Sequence, residues 1–419
     1  MAMYCKSMLN FLYLLIISFR VQGFYKVIWN VASRPCVNDG INIPLSKFEI
    51  AHNEGQHFFG DAVVVFYQSK FALYPYYENN DPNRPINGGL PQNISLQAHL
   101  DAVAQQIQND IPNPNFDGIA VIDLEAWRPL YKMNWDEKQV YKDQSVQLVL
   151  QNDPSLSTEQ AEVLAEEQFD QAARNFFVET LRVARELRPR GHWGYYEYPF
   201  CNADAGDRPD DYSCTMTAQE YNDQLGPIYD ASTALFPSIY LYGDKTTEQS
   251  FRFVQAVLTE TNRIAYQQGR RLKFFPYTKI EYDSDANPTW FYNESDLCNT
   301  VKQPADLGAS GIVVWGTSKN MKDRCNGVAN YIDTQFGPFL LNIRRNLEQC
   351  RREICSGNGN CQLQQPSTEC SLYFNSDDYM CRCEGQYQKP DCSVPNNWQY
   401  DEEGSSVDEL SLTTVTNLE

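Results

Sequence analysis

The sequence predicts an α/β barrel, and three observations carry that prediction. Seven short runs of β-branched and aromatic residues recur before residue 320, at 25–30, 62–67, 119–124, 192–196, 238–241, 274–277 and 312–315. They are continuously apolar rather than alternating, as strands covered on both faces are. Amphipathic helical patterns lie between them. Strand and helix alternating about seven times imply a parallel sheet with crossover helices, either a barrel or a doubly wound sheet. No phosphate-cradling glycine motif follows the first run, which disfavours the dinucleotide type of sheet and favours the barrel.

The helices are read from spacing and caps. Leu96, Leu100, Val103 and Ile107 step by four, three and four, one face of a helix. Phe169, Ala173, Phe176, Thr180, Val183 and Leu187 do the same after a capping box at Ser157 and Gln160. Thr217 with Glu220 is expected to open a further helix, and Gly269 to stop one that begins near Thr247.

The ends of the chain have a different character. Residues 1–23 carry Lys6, an apolar run from Met8 to Phe19, and the small-residue site Val21-Gln22-Gly23. The run is shorter than the roughly 20 residues that span a bilayer, so it reads as a secretory signal peptide. Its removal takes Cys5 with it and turns the thirteen cysteines into an even set, as suits an oxidising compartment. Two sequons, at Asn93 and Asn293, fit the same route. The expected product is secreted and extracellular, with the lysosome as the alternative destination, and reads as a monomer with no membrane span.

From Cys350 to Cys392 seven cysteines stand among few aliphatic residues, so cross-links must replace a core. The spacing resembles an EGF-like module, which implies the pairs Cys350–Cys361, Cys355–Cys381 and Cys383–Cys392. A zinc site is the rival, but no histidine follows His192 and the Cys-x-Cys spacing does not suit a usual finger. The domain reading is therefore 1–23 signal peptide, 24–346 barrel, 347–394 EGF-like module and 395–419 an acidic tail without fixed structure.

Charge narrows the partners. With 34 basic and 54 acidic side chains the formal charge is −20, which argues against nucleic acid as partner because phosphate contacts need a basic face. The four histidines, His52, His57, His99 and His192, are too scattered for a metal site. No metal or cofactor is expected, and no Ser-His-Asp arrangement is evident.

The chemistry sits in Phe116-Asp-Gly-Ile-Ala-Val-Ile-Asp123-Leu-Glu125-Ala-Trp127-Arg128-Pro129. A turn feeds a buried strand that ends in two carboxylates at i and i+2. Side chains alternate along a strand, so Asp123 and Glu125 point the same way with Cα atoms roughly 6.6 Å apart, at the end where barrels keep their active sites. The bland alternative is a solvated strand end with one acid capping the next helix. Mutual repulsion raises one pKa of such a pair, and desolvation by Trp127 or another aromatic adds to it. One carboxyl, expected to be Glu125, stays protonated as a general acid while Asp123 remains charged. Glycoside hydrolysis needs this division of labour. Neighbours on one strand share a side of the scissile bond, which suits substrate-assisted catalysis: a sugar's N-acetyl carbonyl attacks its own anomeric carbon, Asp123 orients that acetamido group, and Glu125 acts as acid and then as base.

Val121-Ile-Asp-Leu-Glu-Ala-Trp-Arg-Pro129 resembles the active-site strand of the hyaluronidases of glycoside hydrolase family 56. The resemblance spans most of the chain, through Val27–Asn30, Asn87–Gln92, Asn134–Asp136, Gly194–Tyr196, Tyr198–Cys201, Asn222–Gly226, Phe236–Tyr240 and Gly311–Trp315. It implies a distorted barrel with about seven strands and hydrolysis of a glycosaminoglycan polymer, hyaluronan or also chondroitin. It further implies Glu125 as acid/base, Asp123 as the acetamido-orienting residue, Tyr196 and Tyr240 as hydrogen-bonding groups for that acetamido, and Trp315 as the floor under the sugar. The family's barrel disulfides map onto Cys36–Cys325 and Cys201–Cys214. Cys298 and Cys370 remain, and are expected to pair and tie the small module to the barrel, a link the family pattern does not itself imply.

Two departures matter. Glu197 stands where many family members have a small residue, adding a charge beside the cleft. The acidic balance also opposes a polyanionic substrate at long range. Arg128, Lys279 and Lys319 are the candidates for local compensation, and an acidic pH optimum is expected. A chitinase-like hydrolase is the second enzyme reading, because Asp117-Gly118 leads to Asp-x-Glu. Its extra strand aspartate is replaced here by apolar residues. The third reading is a lectin that keeps the barrel without turnover.

Overall fold

A computed structural model describes residues 25–396. The expected signal peptide and residues 397–419 of the expected acidic tail lie outside the described residues. Eight strand segments form the barrel wall, in three hydrogen-bonded arcs: β1 (Lys26–Val31), β2 (Val63–Tyr67), β3 (Ile119–Asp123), β4 (His192–Tyr195), β5 (Ala234–Leu235), β6 (Lys273–Phe274), β7 (Tyr277–Thr278) and β8 (Gly311–Gly316). β6 and β7 are two halves of one strand, so seven strand positions surround the barrel axis among the described residues.

The pairing is parallel throughout this ring. β1 runs beside β8 from Lys26↔Gly311 to Val31↔Gly316, and β8 pairs with β7. β2, β3 and β4 form a second arc, with Tyr67 opposite Asp123. β5 pairs with β6 and joins its neighbours through the bridges Tyr196↔Phe236 and Ser238↔Tyr277. The strand expected at 238–241 is thus displaced: the ladder starts at Ala234 and is broken by Pro237. Pro276 breaks its partner in the same way, because proline supplies no N–H to a ladder. Both prolines keep their acceptors in use, through Tyr277 N–H to Pro237 O at 2.8 Å and Val313 N–H to Pro276 O at 2.9 Å.

The seam between β1 and β2 is closed by a side chain. Asn53, 2% exposed, follows the short segment Ala51–His52 that pairs with β1. Its Oδ1 accepts from the N–H groups of Ala62 and Val63, and its Nδ2 donates to the carbonyls of Val63 and His57 at 2.8 Å each.

Alternation along the strands divides two cores. Val63 and Val65 of β2, Ile119 and Val121 of β3, and Val313 of β8 fill the barrel interior with Phe236, Phe275 and Tyr277. Their neighbours Val64, Phe66, Ala120, Ile122 and Val314 face outward against the helices. Tyr67, Asp123 and Trp315 continue the inward rows, so the next residue up each row reaches the open end.

The helices Leu96–Asp110 and Thr158–Leu187 form where expected, the second with the Ser157/Gln160 capping box in place. The helix Met216–Gln224 is capped by Thr215 rather than Thr217, since the Thr215 hydroxyl accepts from Ala218 N–H. The helix Thr247–Tyr266 is followed by a tight turn in which Gly269 takes φ 79°. The helix Gln139–Asn152 was not anticipated, because its apolar residues Val140, Tyr141, Val146, Leu148, Val149 and Leu150 spread around it and its buried face, Tyr141, Ser145 and Val149, includes a serine.

The helix Gly337–Glu353 runs from the barrel into the C-terminal region and carries Cys350, so the expected boundary at 346/347 falls inside a continuous element. Beyond it, β9 (Gly359–Leu363) pairs antiparallel with β10 (Tyr379–Cys383), and β11 (Tyr387–Gln388) with β12 (Val394–Pro395). Pro395 is therefore still paired, and Asn396 N–H reaches Gln386 O, two residues past the expected end of the module. Six disulfides join Cys36–Cys325, Cys201–Cys214, Cys298–Cys370, Cys350–Cys361, Cys355–Cys381 and Cys383–Cys392. No helix among the described residues is long and apolar enough to cross a membrane.

Candidate active site

The open end of the barrel holds a cavity of about 500 Å³ lined by Asp123, Glu125, Tyr196, Tyr240 and Trp315, together with Tyr67, Gln68, Tyr242, Tyr277 and Lys279. Five of the six residues singled out in the sequence for catalysis and binding thus meet in one place. Asp123 ends the inward row Ile119, Val121, Asp123 and is half-buried. Glu125, two residues on, is exposed at the mouth. Both open into the same cavity, as their i, i+2 spacing requires.

The rim is held by hydrogen bonds that spacing alone does not reveal. Gln68 Oε1 accepts from the N–H groups of Glu125 and Ala126 at 2.9 and 2.7 Å, and Lys138 Nζ donates to the Glu125 carbonyl. These contacts fix the turn that follows β3. Trp315 Nε1 donates to the Tyr67 hydroxyl at 3.0 Å, and the Trp315 ring stacks on Tyr240 with centroids 5.8 Å apart. Tyr196 donates to Ser238 Oγ at 3.2 Å and meets Tyr277 edge-on. The result is an aromatic floor with hydroxyls at its edge, a surface suited to the apolar face of a pyranose.

Both carboxyls are harder to ionise than usual. Burial, then the charges of Glu125 and Glu197, push Asp123 up to about 8. Burial and Glu197 also raise Glu125, opposed by Lys138 and Arg128. Asp123 Oδ1 and the Tyr277 hydroxyl have no hydrogen-bond partner among the described residues, so the neutral form of Asp123 is the favoured one. Burial thus acts on Asp123 as well as on Glu125, so it does not by itself set the expected division of a protonated Glu125 and a charged Asp123. Burial and the neighbouring carboxylates raise both members, so the pair resists losing its last proton.

Three further expectations change. Trp127 does not wall the site: it is fully buried, donates to Pro75 O at 2.7 Å and stacks on Tyr74. Its strand position faces outward, and Tyr67 and Tyr277 take over the desolvating role. Arg128 lies in an adjoining cavity of about 730 Å³, packed over Trp135 and Phe200 at 4.6 and 5.4 Å from their ring centroids. Its charge acts on Glu125 and Glu197. Lys319 stands apart on the surface, paired with Asp285 at 2.8 Å. Lys279 does belong to the site, where it lies over Tyr242 at 4.0 Å and burial pushes it down to about 8.

Glu197 also lines the adjoining cavity, with a left-handed backbone at φ 74°. Burial raises its carboxyl, against the pull of Arg128 and Lys138. Tyr67 and Gln68 are the residues that sequence reasoning missed. Their signal was available, because Tyr67 ends the β2 row as Asp123 ends the β3 row. Asn93 and Asn293 are both exposed; Asn293 Oδ1 accepts from Asp296 N–H at 2.9 Å, and Asn93 Nδ2 donates to Gly88 O at 3.0 Å.

A parallel barrel with an acid pair and an aromatic floor at the C-terminal ends of its strands has the architecture of a glycoside hydrolase. The chain belongs to glycoside hydrolase family 56, the hyaluronidases, whose family model matches residues 18–405. It is 39% identical over 87% of its length to a chondroitin hydrolase of Caenorhabditis elegans, covering 79% of that protein. It is 34% identical over 89% of its length to hyaluronidase-1 of Homo sapiens, covering 93% of that protein. Among solved structures, bee venom hyaluronidase in complex with a hyaluronic acid tetramer superposes with a TM-score of 0.69 at 31% identity, over 75% of this chain and 98% of that one.

Proposed function

We propose that this chain is a secreted endo-β-N-acetylhexosaminidase that hydrolyses the β-1,4 N-acetylhexosaminide bonds of hyaluronan, with retention, by substrate-assisted catalysis. The observation that carries the reading is the pairing of Asp123 and Glu125 in one cavity above an aromatic floor. The sugar rests on Trp315, and its acetamido group lies against Asp123, with Tyr196 and Tyr240 at its edge. An acetamido N–H directed at Asp123 favours the ionised aspartate and leaves the pair's last proton on Glu125. Glu125 then protonates the glycosidic oxygen as the acetamido carbonyl attacks the anomeric carbon. The leaving chain departs, and Glu125 draws a proton from the water that opens the cyclic intermediate.

Chondroitin is the second substrate, and a specific observation favours keeping it: the C. elegans relative named a chondroitin hydrolase is 39% identical, against 34% for human hyaluronidase-1. The six disulfides support export through the secretory route, with glycans at Asn93 and Asn293, an EGF-like C-terminal module and a monomeric product. The test is a side-by-side digestion of hyaluronan and chondroitin with sizing of the products. Even-numbered oligosaccharides ending in N-acetylhexosamine support hydrolysis. Unsaturated ends or unchanged polymers contradict it.

A further inference from the structure

At the other end of the barrel lies a groove of about 1140 Å³ between the strand starts and the disulfide-rich unit. Five cations line it: Lys26 at the start of β1, Arg271 and Lys273 at the start of β6, and Arg382 and Lys389 from the disulfide-rich unit. The one carboxylate in the lining, Glu384, is already paired with Arg351 at 3.1 Å. Lys26, Arg271, Lys273 and Lys389 have no ion-pair partner within 4.0 Å among the described residues. Arg382 is fixed over the Tyr266 ring at 3.9 Å and donates to Asn262 at 3.2 Å. In a chain of charge −20, unpaired cations gathered from both parts of the molecule are the opposite of the average surface.

We propose that this groove is a second binding site for an anionic glycosaminoglycan chain, separate from the catalytic cavity. Repeated carboxylates or sulfates along a flexible polymer match a row of cations and an aromatic edge, and a concave groove focuses their field. The site lies at the opposite ends of the strands from Asp123, roughly 15–20 Å away by strand length. A short oligosaccharide filling the cleft does not reach it. A long polymer held in the groove raises the local concentration of its own cleavable bonds. This deepens the proposed function, since it rests on a glycosaminoglycan as substrate.

The test uses the full chain and the triple variant Arg271→Gln/Lys273→Gln/Lys389→Gln, all three at exposed positions. Kinetics are measured on high-mass hyaluronan, on high-mass chondroitin sulfate, and on short oligosaccharides of each. The expected result is a rise in polymer KM of about fivefold or more at low salt, fading as salt is added, with kcat and the short-oligosaccharide kcat/KM unchanged. A larger rise on chondroitin sulfate than on hyaluronan assigns the groove to sulfated chains, and an equal rise assigns it to carboxylates. Unchanged polymer KM at low salt would overturn the proposal. Retention of Glu125→Gln protein on immobilised polymer, with and without the triple substitution and with excess short oligosaccharide present, reads the groove without turnover. If the parent protein cleaves nothing yet is retained through these three cations, the catalytic reading fails and the groove stands.

Discussion

The chemistry of individual side chains in the cavity turns on the protonation of one acid pair. Asp123 is pushed up to about 8 by burial and by two neighbouring carboxylates, well above the ordinary aspartate value near 3.9. The folded protein therefore binds more protons than the unfolded chain between about pH 4 and pH 8, and stability falls as pH rises through that window. Asp123→Asn removes the proton uptake that folding requires at pH 7, so its melting temperature should exceed that of the parent at pH 7 while the two nearly coincide at pH 4. Thermal melts at both values check this. Glu197 acts in the same direction on Glu125 and Asp123. Glu197→Gln deletes that repulsion and lowers both pKa values, so the alkaline limb of the kcat profile should move to lower pH with little change on the acid side. An alkaline limb that stays in place would show that Glu197 does not couple to the pair. The pair was legible in the sequence because two acids end an apolar run at strand spacing. That Glu125 lies further out toward the mouth was legible from its place two residues past Asp123, but how strongly burial acts on Asp123 was not, because that depends on rows supplied by β2 and β7.

At the scale of elements, strand existence was easier to read than strand limits. Continuous apolar runs marked β1, β2, β3, β4 and β8 to within about a residue at each end. The run at 238–241 misled, since Leu235 and Phe236 do the pairing and Pro237 interrupts it. The closure at Asn53 was invisible, because an asparagine between short segments looks like a turn residue. Its amide makes four hydrogen bonds to backbone in place of a strand ladder. Asn53→Ala leaves buried N–H and C=O groups unpaired, each costing about 1–3 kcal/mol. For the two fully buried groups, both on Val63, urea unfolding should show a loss of about 2–6 kcal/mol, and a loss under 1 kcal/mol would mean that the seam is held by other contacts.

Between the barrel and the cross-linked unit there are three ties besides the Arg382 contacts with Tyr266 and Asn262. The helix Gly337–Glu353 is shared, Cys298–Cys370 crosses between them, and a buried cluster joins Tyr379 of β10 to the barrel side. There Tyr379 donates to Asp306 at 2.8 Å while Lys302 donates to both. The cysteine count announced the cross-linked unit, but the sequence carried no sign of Lys302, Asp306 and Tyr379 meeting, because their separation along the chain hides a contact made only by docking. The docking also creates the cationic groove from residues that look like scattered surface charge when read singly. The barrel sets the catalytic end, and the cross-linked unit shapes the opposite one.

In the proposed reaction the acetamido group of the substrate, oriented by Asp123, forms the first bond to the anomeric carbon. Proton NMR of the fresh reducing end, followed from the first minute of cleavage of a hyaluronan oligosaccharide, tests it most directly. The β-anomer should appear first and mutarotate to the mixture afterwards, since two displacements restore the starting configuration. First appearance of the α-anomer would mean a single displacement by water and would contradict the assignment of Asp123 and Glu125.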